Sequence, residues 1–226
     1  MSGGHTVTLV AAAIDRCVVD SRVTSIICFN SMNTPSHFLM TATLKKVCPR
    51  LPIAKSAFLL GSIAPDIPLY ILSIGGILYY HILLDWSLGD TFRLMFDELY
   101  FHHPLWIASH NLLHSPVLLL LALGLLWRFR NRTNSPRHWW FWFLSACLFH
   151  SAIDILTHVD DGPLLLFPVE WTTRWQSRVS YWDPRYYGRE FALFESILDI
   201  ILTVYLVGPW ISGRLRRRWQ SRRERS

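Results

Sequence analysis

The 226-residue chain has only four cysteines, Cys17, Cys28, Cys48 and Cys147, with no CxxC pair and no regular spacing. Neither a zinc ribbon nor a disulfide framework is indicated. Internal repeats and low-complexity tracts are missing as well, apart from one arginine-rich tail. Residues 1–31 lack the basic stretch and clean apolar run of a signal peptide, because Asp15, Arg16, Asp20 and Arg22 interrupt their apolar residues. Charge is scarce: 17% of residues are charged, against 51% hydrophobic and 14% aromatic. With a mean hydropathy of +0.25, that balance points to lipid surroundings more than to a large soluble domain. Outside the tail there is no net charge. Residues 212–226 carry seven arginines against Glu224, which equals the whole formal charge of +6. A basic tail behind an apolar segment reads as a cytoplasmic anchor facing anionic lipid head groups, and nucleic-acid binding is not expected.

Four apolar segments are present, at 67–84, 115–127, 139–156 and 191–211, and a shorter fifth lies at 53–64. An 18-residue helix is about 27 Å long, close to the roughly 30 Å hydrocarbon core of a bilayer. The expected fold is therefore all-α, a multi-pass helical membrane protein with about four transmembrane segments. Arg128, Arg130, Arg132 and Arg137 lie in a loop without acids, so this loop and the tail are expected on the cytoplasmic side. The aromatic-rich loop 157–190 then lies outside, as an interfacial belt or a cap over a site. Three regions are expected: an N-terminal extension at 1–31, an embedded domain at 32–211 and the basic tail at 212–226. Met32 precedes a helix start in which Thr34 suits the N-cap and Pro35 the first helical position.

Polar residues interrupt this pattern at regular spacing. His150, Asp154 and His158 stand four apart, within an arc of about 80° on a helix, so they share one face. A satisfied interfacial role explains His158 as readily as metal binding does. Asp154 is harder to explain, since an ionised carboxylate within a membrane helix costs about 3 kcal/mol unless it is partnered. His110 and His114, also four apart, precede the 115–127 segment and are expected on the same outer side. Glu195 and Asp199 repeat the spacing at the outer start of the last segment, with Asp154 near the level of Glu195 and His150 near that of Asp199. They would serve as ligands or as acceptors that orient imidazoles. His37 and Asp66, the latter between Pro65 and Pro68 in GSIAPDIP, complete a mixed His/carboxylate set. Such donors suit zinc, and their oxygens also admit manganese or iron.

The motifs TPSH (34–37), GSIAPDIP (61–68), SHNLLHSP (109–116) and HSAIDILTH (150–158), followed by LLLFPVEW and VSYWD, resemble the YdjM-like family of bacterial inner-membrane, predicted metal-dependent hydrolases. The family is similar, more remotely, to zinc-dependent phospholipase C. The resemblance covers Met32 to about Val207. It implies a helical multi-pass protein with a metal centre that activates water, and by motif His37, Asp66, His110, His114, His150 and Asp154 as ligands, with His158 and Glu195 as further members.

The leading expectation is a membrane-bound hydrolase in which metal-activated water attacks a phosphoester or similar bond of a lipid-linked or membrane-proximal substrate, with one or two ions. Asp154 or Glu195 would take the proton, and Arg174 or Arg178 would hold an anionic head group. The rival is an ion, proton or small-solute transporter built on the same His/Asp cluster. A desaturase-like oxygenase is a weak third reading, since His102, His103, His110 and His114 give only one HxxxH box. One conflict stands out. If 67–84 crosses outward, Asp66 begins at the cytoplasmic end, away from the histidines, unless 53–64 pairs with it as a hairpin or 91–109 also crosses.

Overall fold

The structure, a computed structural model, describes residues 34–223. The expected extension at 1–31 and the start at Met32 lie outside the described residues. Every regular element among the described residues is helical, and the only strand-like pairing is an isolated antiparallel bridge between Leu164 and Arg174. The helices are α1 (Thr34–Val47), α2 (Lys55–Gly61), α3 (Ile67–Gly76, prolonged by wider turns to Leu83), α4 (Leu88–Arg93, prolonged to His102), α5 (Pro104–Asn111), α6 (Pro116–Leu126), α7 (Pro136–Thr157) and α8 (Gly188–Arg223). Thr34 is already helical, and its hydroxyl is directed to Asp66.

Proline sets three of the helix starts. Pro104, Pro116 and Pro136 occupy first-turn positions, where the missing N–H costs nothing. The residue before each accepts a backbone N–H through its side chain: His103 from Leu105, Ser115 from Leu118 and Ser135 from Arg137.

Two helices are long and apolar enough to cross a membrane, Pro136–Thr157 and Gly188–Arg214, and the pair α5 and α6, bent by 43°, makes a third if counted as one crossing. Two or three candidate crossings are therefore found among the described residues, and the expected count of about four is not confirmed. The segment at 67–84 forms only the short apolar helix Ile67–Leu83, and it folds back. Leu69, Leu72 and Ile77 pack with Phe92 and Phe96 around buried Met95, Tyr100 and Trp106, so α3 and α4 form a hairpin.

The conflict over Asp66 is settled by α1 and α2. Helix α1 runs from His37 to Lys45 and Lys46, the chain reverses through 48–54, and α2 returns along α7, bringing 62–66 back to the level of His37. The support for α2 is apolar: Ala57, Leu119, Phe143 and Cys147 form one buried cluster, and Ile53, Phe58 and Ala146 another. On α7 the same buried face changes character along its length, from Phe143, Ala146 and Cys147 to His150, Ser151, Asp154 and Thr157. Arginine and lysine gather at the opposite end, in the last turn of α1, the loop between α6 and α7, and the tail of α8.

Contact between α2 and α7 depends on Gly61. A Cβ there would run into the Phe143 carbonyl oxygen and lie 2.9 Å from the Ala146 Cβ. Neither backbone nor a helix-borne methyl yields easily, so Gly61→Ala is expected to destabilise the protein by about 1–3 kcal/mol. Thermal unfolding in detergent measures this, and Gly75→Ala, where a Cβ meets nothing, is the matched control.

Candidate metal centre

Three chain segments deliver the centre. His114 sits at the break between α5 and α6, His150 and Asp154 lie on successive turns of α7, and Asp66 immediately precedes α3. The break follows from Pro116, which cannot donate an N–H to continue α5. Its freed backbone groups are paired within the protein, as backbone at membrane depth requires: Ser115 N donates to Asn111 O at 2.9 Å, and Ser151 Oγ donates to His114 O.

Both histidines are fixed in orientation by backbone carbonyls. His150 Nδ1 lies 2.8 Å from Ser62 O and His114 Nδ1 lies 2.7 Å from His110 O. A carbonyl only accepts, so each Nδ1 must carry the proton, and in the neutral ring each Nε2 presents a lone pair. These two atoms face each other at 3.2 Å. Asp154 Oδ2 stands 3.0 Å from His150 Nε2 and 3.3 Å from His114 Nε2, and Asp66 Oδ1 stands 3.3 and 3.6 Å from the same atoms. Four acceptors therefore converge with no donor among them, which only a cation or added protons can reconcile. Four donors about 2.0–2.1 Å from one ion would sit about 3.3–3.4 Å apart at tetrahedral corners, and the spacings match. Asp66, His114, His150 and Asp154 together could hold a metal ion, and they are the one such group among the described residues.

Asp66 lies outside the apolar spans. Burial alone would raise its carboxyl, but the facing imidazoles of His114 and His150, once protonated at Nε2 in place of a cation, outweigh this and hold it well below the usual carboxylate range. Thr34 Oγ1 donates to Asp66 Oδ2 at 2.5 Å and is bonded in turn by the Tyr70 hydroxyl at 2.7 Å.

Of the remaining expected site residues, His37 meets this group directly and the others are engaged elsewhere or exposed. His37 Nε2 lies 3.1 Å from Asp154 Oδ1, and its ring stacks on His150 with centroids 3.7 Å apart. His110 is turned away: its Nε2 meets the Tyr100 hydroxyl at 3.0 Å. That hydroxyl donates to Asp161 O at 2.6 Å, so it accepts from His110. Burial pushes the Tyr100 phenol above its usual range, against the pull of Arg174, and keeps it a neutral donor. His158 ends α7, with Nδ1 2.9 Å from Asp154 O and its ring against Tyr181. Glu195 and Asp199 meet α1: Ser36 Oγ lies 2.7 Å from Glu195 Oε1 and 2.8 Å from Asp199 Oδ2. Arg174 bonds Gly162 O and lies over the rings of Tyr100 and Phe101, while Arg178 is exposed.

Sequence reasoning missed the residues that hold the centre in place. Asn111 Nδ2 donates to Ile107 O at 2.8 Å and its Oδ1 accepts Leu164 N at 2.6 Å, while Ser115 Oγ donates to Phe167 O at 2.7 Å. These bonds tie the loop after α7 onto α5 and α6, and Ile107 packs with Leu164 and Phe167 beneath it. Trp182 Nε1 adds a bond to Asp161 Oδ2 at 2.9 Å. The signal was present in HNLLHS, where Asn111 and Ser115 each directly follow a histidine at the start of an apolar segment. Asn111→Ala strands the Leu164 N–H, so a loss of about 1–3 kcal/mol is expected. Tryptic cleavage at Arg174 and Arg178 should quicken in parallel, as time-resolved proteolysis would record.

No curated protein and no solved structure matches the chain, and the remote likeness to zinc-dependent phospholipase C gains no support. Residues 32–217 match the family described as the YdjM inner membrane protein. That range contains both long apolar helices nearly whole and all four residues of the buried His/Asp group. The chain therefore belongs to the YdjM inner membrane protein family.

Proposed function

We propose that this protein is a membrane-bound, metal-dependent hydrolase acting on a phosphoester or similar bond of a membrane-associated substrate. The observation that carries the reading is the convergence of two Nε2 lone pairs and two carboxylates on one point. Asp66, His114, His150 and Asp154 would hold the ion. Two nitrogens and two oxygens suit zinc, with manganese or iron also accommodated. A divalent ion held there, expanding beyond the four protein donors to take water or substrate, would supply Lewis-acid polarisation of the scissile bond and lower the pKa of water.

The chain's own residues supply the rest. Ser62 O and His110 O hold the two imidazoles in one tautomer, and Asp154 faces two ways. Its Oδ2 turns to the cluster while its Oδ1 lies 3.1 Å from His37 Nε2. Asp154 thereby links His37 to the reacting centre, and this pair is the proton acceptor and donor of the reaction. Glu195 lies one residue removed, through Ser36, and its part is to position α1. Arg174 is engaged with Gly162 O and two aromatic rings, which leaves exposed Arg178 as the better head-group ligand. With the arginine-rich end in the cytoplasm, the centre lies on the opposite side of the membrane, and the tail meets anionic lipids.

Transport fits less well. Between His138 and His150 the buried face of α7 is Phe141, Phe143, Ala146 and Cys147, which gives ions or protons no polar track toward the other end.

Metal analysis of detergent-purified protein, together with turnover of phospholipid and phosphomonoester substrates, tests the reading. About one divalent ion per chain is expected in the wild type, and Asp66→Asn and His114→Ala should each lose it. His37→Ala should keep the ion yet slow turnover by about 100- to 10,000-fold, the usual range for loss of acid–base catalysis. Metal-free wild-type protein, or turnover that survives loss of the ion, would refute the proposal.

A further inference from the structure

The centre is closed unevenly. Over the end of α7 the loop 158–187 is fastened by Asn111, Ser115 and Tyr100, and braced within itself by Trp182 on Asp161. On another side α8 lies against α1 through Ser36. The side chains of His114 and His150 are wholly buried and that of Asp154 is 8% exposed, whereas Asp66 is 21% exposed. Access to the four donors is therefore past Asp66, where α1 and α3 are joined by the chain of bonds from Tyr70 through Thr34.

The surroundings of that opening are apolar. Phe38, one turn along α1 from Thr34, is exposed, and so are Ile67, Tyr70, Ile71 and Ile74 on α3. On α3 these follow helical spacing and form one stripe, continued outward by exposed Leu78 and Ile82. The opposite face of α3 is already used, with Leu69 and Leu72 against Met95 and Trp106. A mouth made for water-soluble substrates would carry polar residues at its edge. Here the polar groups at the opening, Thr34, Asp66 and the Tyr70 hydroxyl, give way immediately to a face that suits hydrocarbon.

Resting on the metal-dependent reading above, we propose that the centre opens sideways into the bilayer between α1 and α3, and that its substrate is an amphiphile. The phosphate-bearing head group reaches the centre past Asp66, Thr34 and Tyr70, and the acyl chain lies along Phe38, Ile71 and Ile74. Membrane residence favours this occupant, since the stripe borders lipid and a chain drawn from lipid has no hydrophobic burial to lose. Lateral access also accounts for a cap fixed by so many bonds: the substrate does not pass through it.

The test uses the full-length protein in phosphatidylcholine vesicles containing a phosphatidic acid with a diazirine in its acyl chain. After illumination, adducts are mapped by mass spectrometry. Adducts concentrated on Phe38, Tyr70, Ile71 and Ile74, reduced several-fold by Asp66→Asn and by unlabelled phosphatidic acid but not by glycerol 3-phosphate, are the expected result. Adducts spread over the lipid faces of α6 and α8 regardless of Asp66, competition by glycerol 3-phosphate alone, or a stripe shielded by a second copy of the chain would each overturn the lateral route. Metal content measured on the same samples separates the two ideas. An apo wild type refutes the metal reading, while an unfocused adduct map on metal-loaded protein refutes only the route.

Discussion

The Nδ1–H groups of His114 and His150, each donating to a backbone carbonyl, decide the character of this protein. Because the carbonyls of His110 and Ser62 take those protons, the two Nε2 atoms are left as acceptors in a space that also holds two carboxylates. Few arrangements are less favourable in a low-dielectric interior without a cation. With one, the same four groups become a ligand set. The surrounding fold is concerned with supplying those two carbonyls at the right places, one from the last turn of α5 and one from the turn after α2.

That requirement explains features that would otherwise weaken the bundle. Breaking the helix between α5 and α6 exposes backbone groups, yet an unbroken helix would not leave His114 at a turn whose carbonyl is free to accept Ser151. The short α2 lies close to α7 because Gly61 has no side chain, and this close approach puts Ser62 O within reach of His150. Buried charge at the centre and tight apolar packing below it are thus two parts of one arrangement, carried on the single buried face of α7.

Much of the centre was legible in the sequence because its members obey helical spacing. His150 and Asp154 stand one turn apart in an apolar segment, and no bland role accounts for an acid there. His110 and His114 share the same spacing, yet only His114 joins the four donors. Spacing places both near one face and does not tell that a tyrosine ten residues upstream, Tyr100, turns His110 aside. Glu195 and Asp199 are expected from their spacing as ligands or as acceptors for the imidazoles, but α1 comes between, and Ser36 meets them while His37 faces Asp154. The intervention of α1 depends on a long-range reversal that no local pattern encodes. Asn111 and Ser115 were overlooked because an amide and a hydroxyl beside histidines look like ordinary turn residues.

The number of spans is less legible in the sequence, for a related physical reason. A hydropathy window assumes that a segment either crosses or does not. Here α1 has 14 residues and α2 has 7, about 21 and 10 Å at 1.5 Å per residue. It is α2 that lies along α7, whereas α1 lies chiefly along α8 and meets α7 at His37; packed against protein, they need not satisfy the length that lipid demands of an isolated helix. Such partial helices allow Asp66 to begin and end on the same side as the histidines. A chain made only of full crossings would have carried that aspartate to the arginine-rich end. The use of partial helices beside full crossings is therefore what permits residues from three separate motifs to meet at one point.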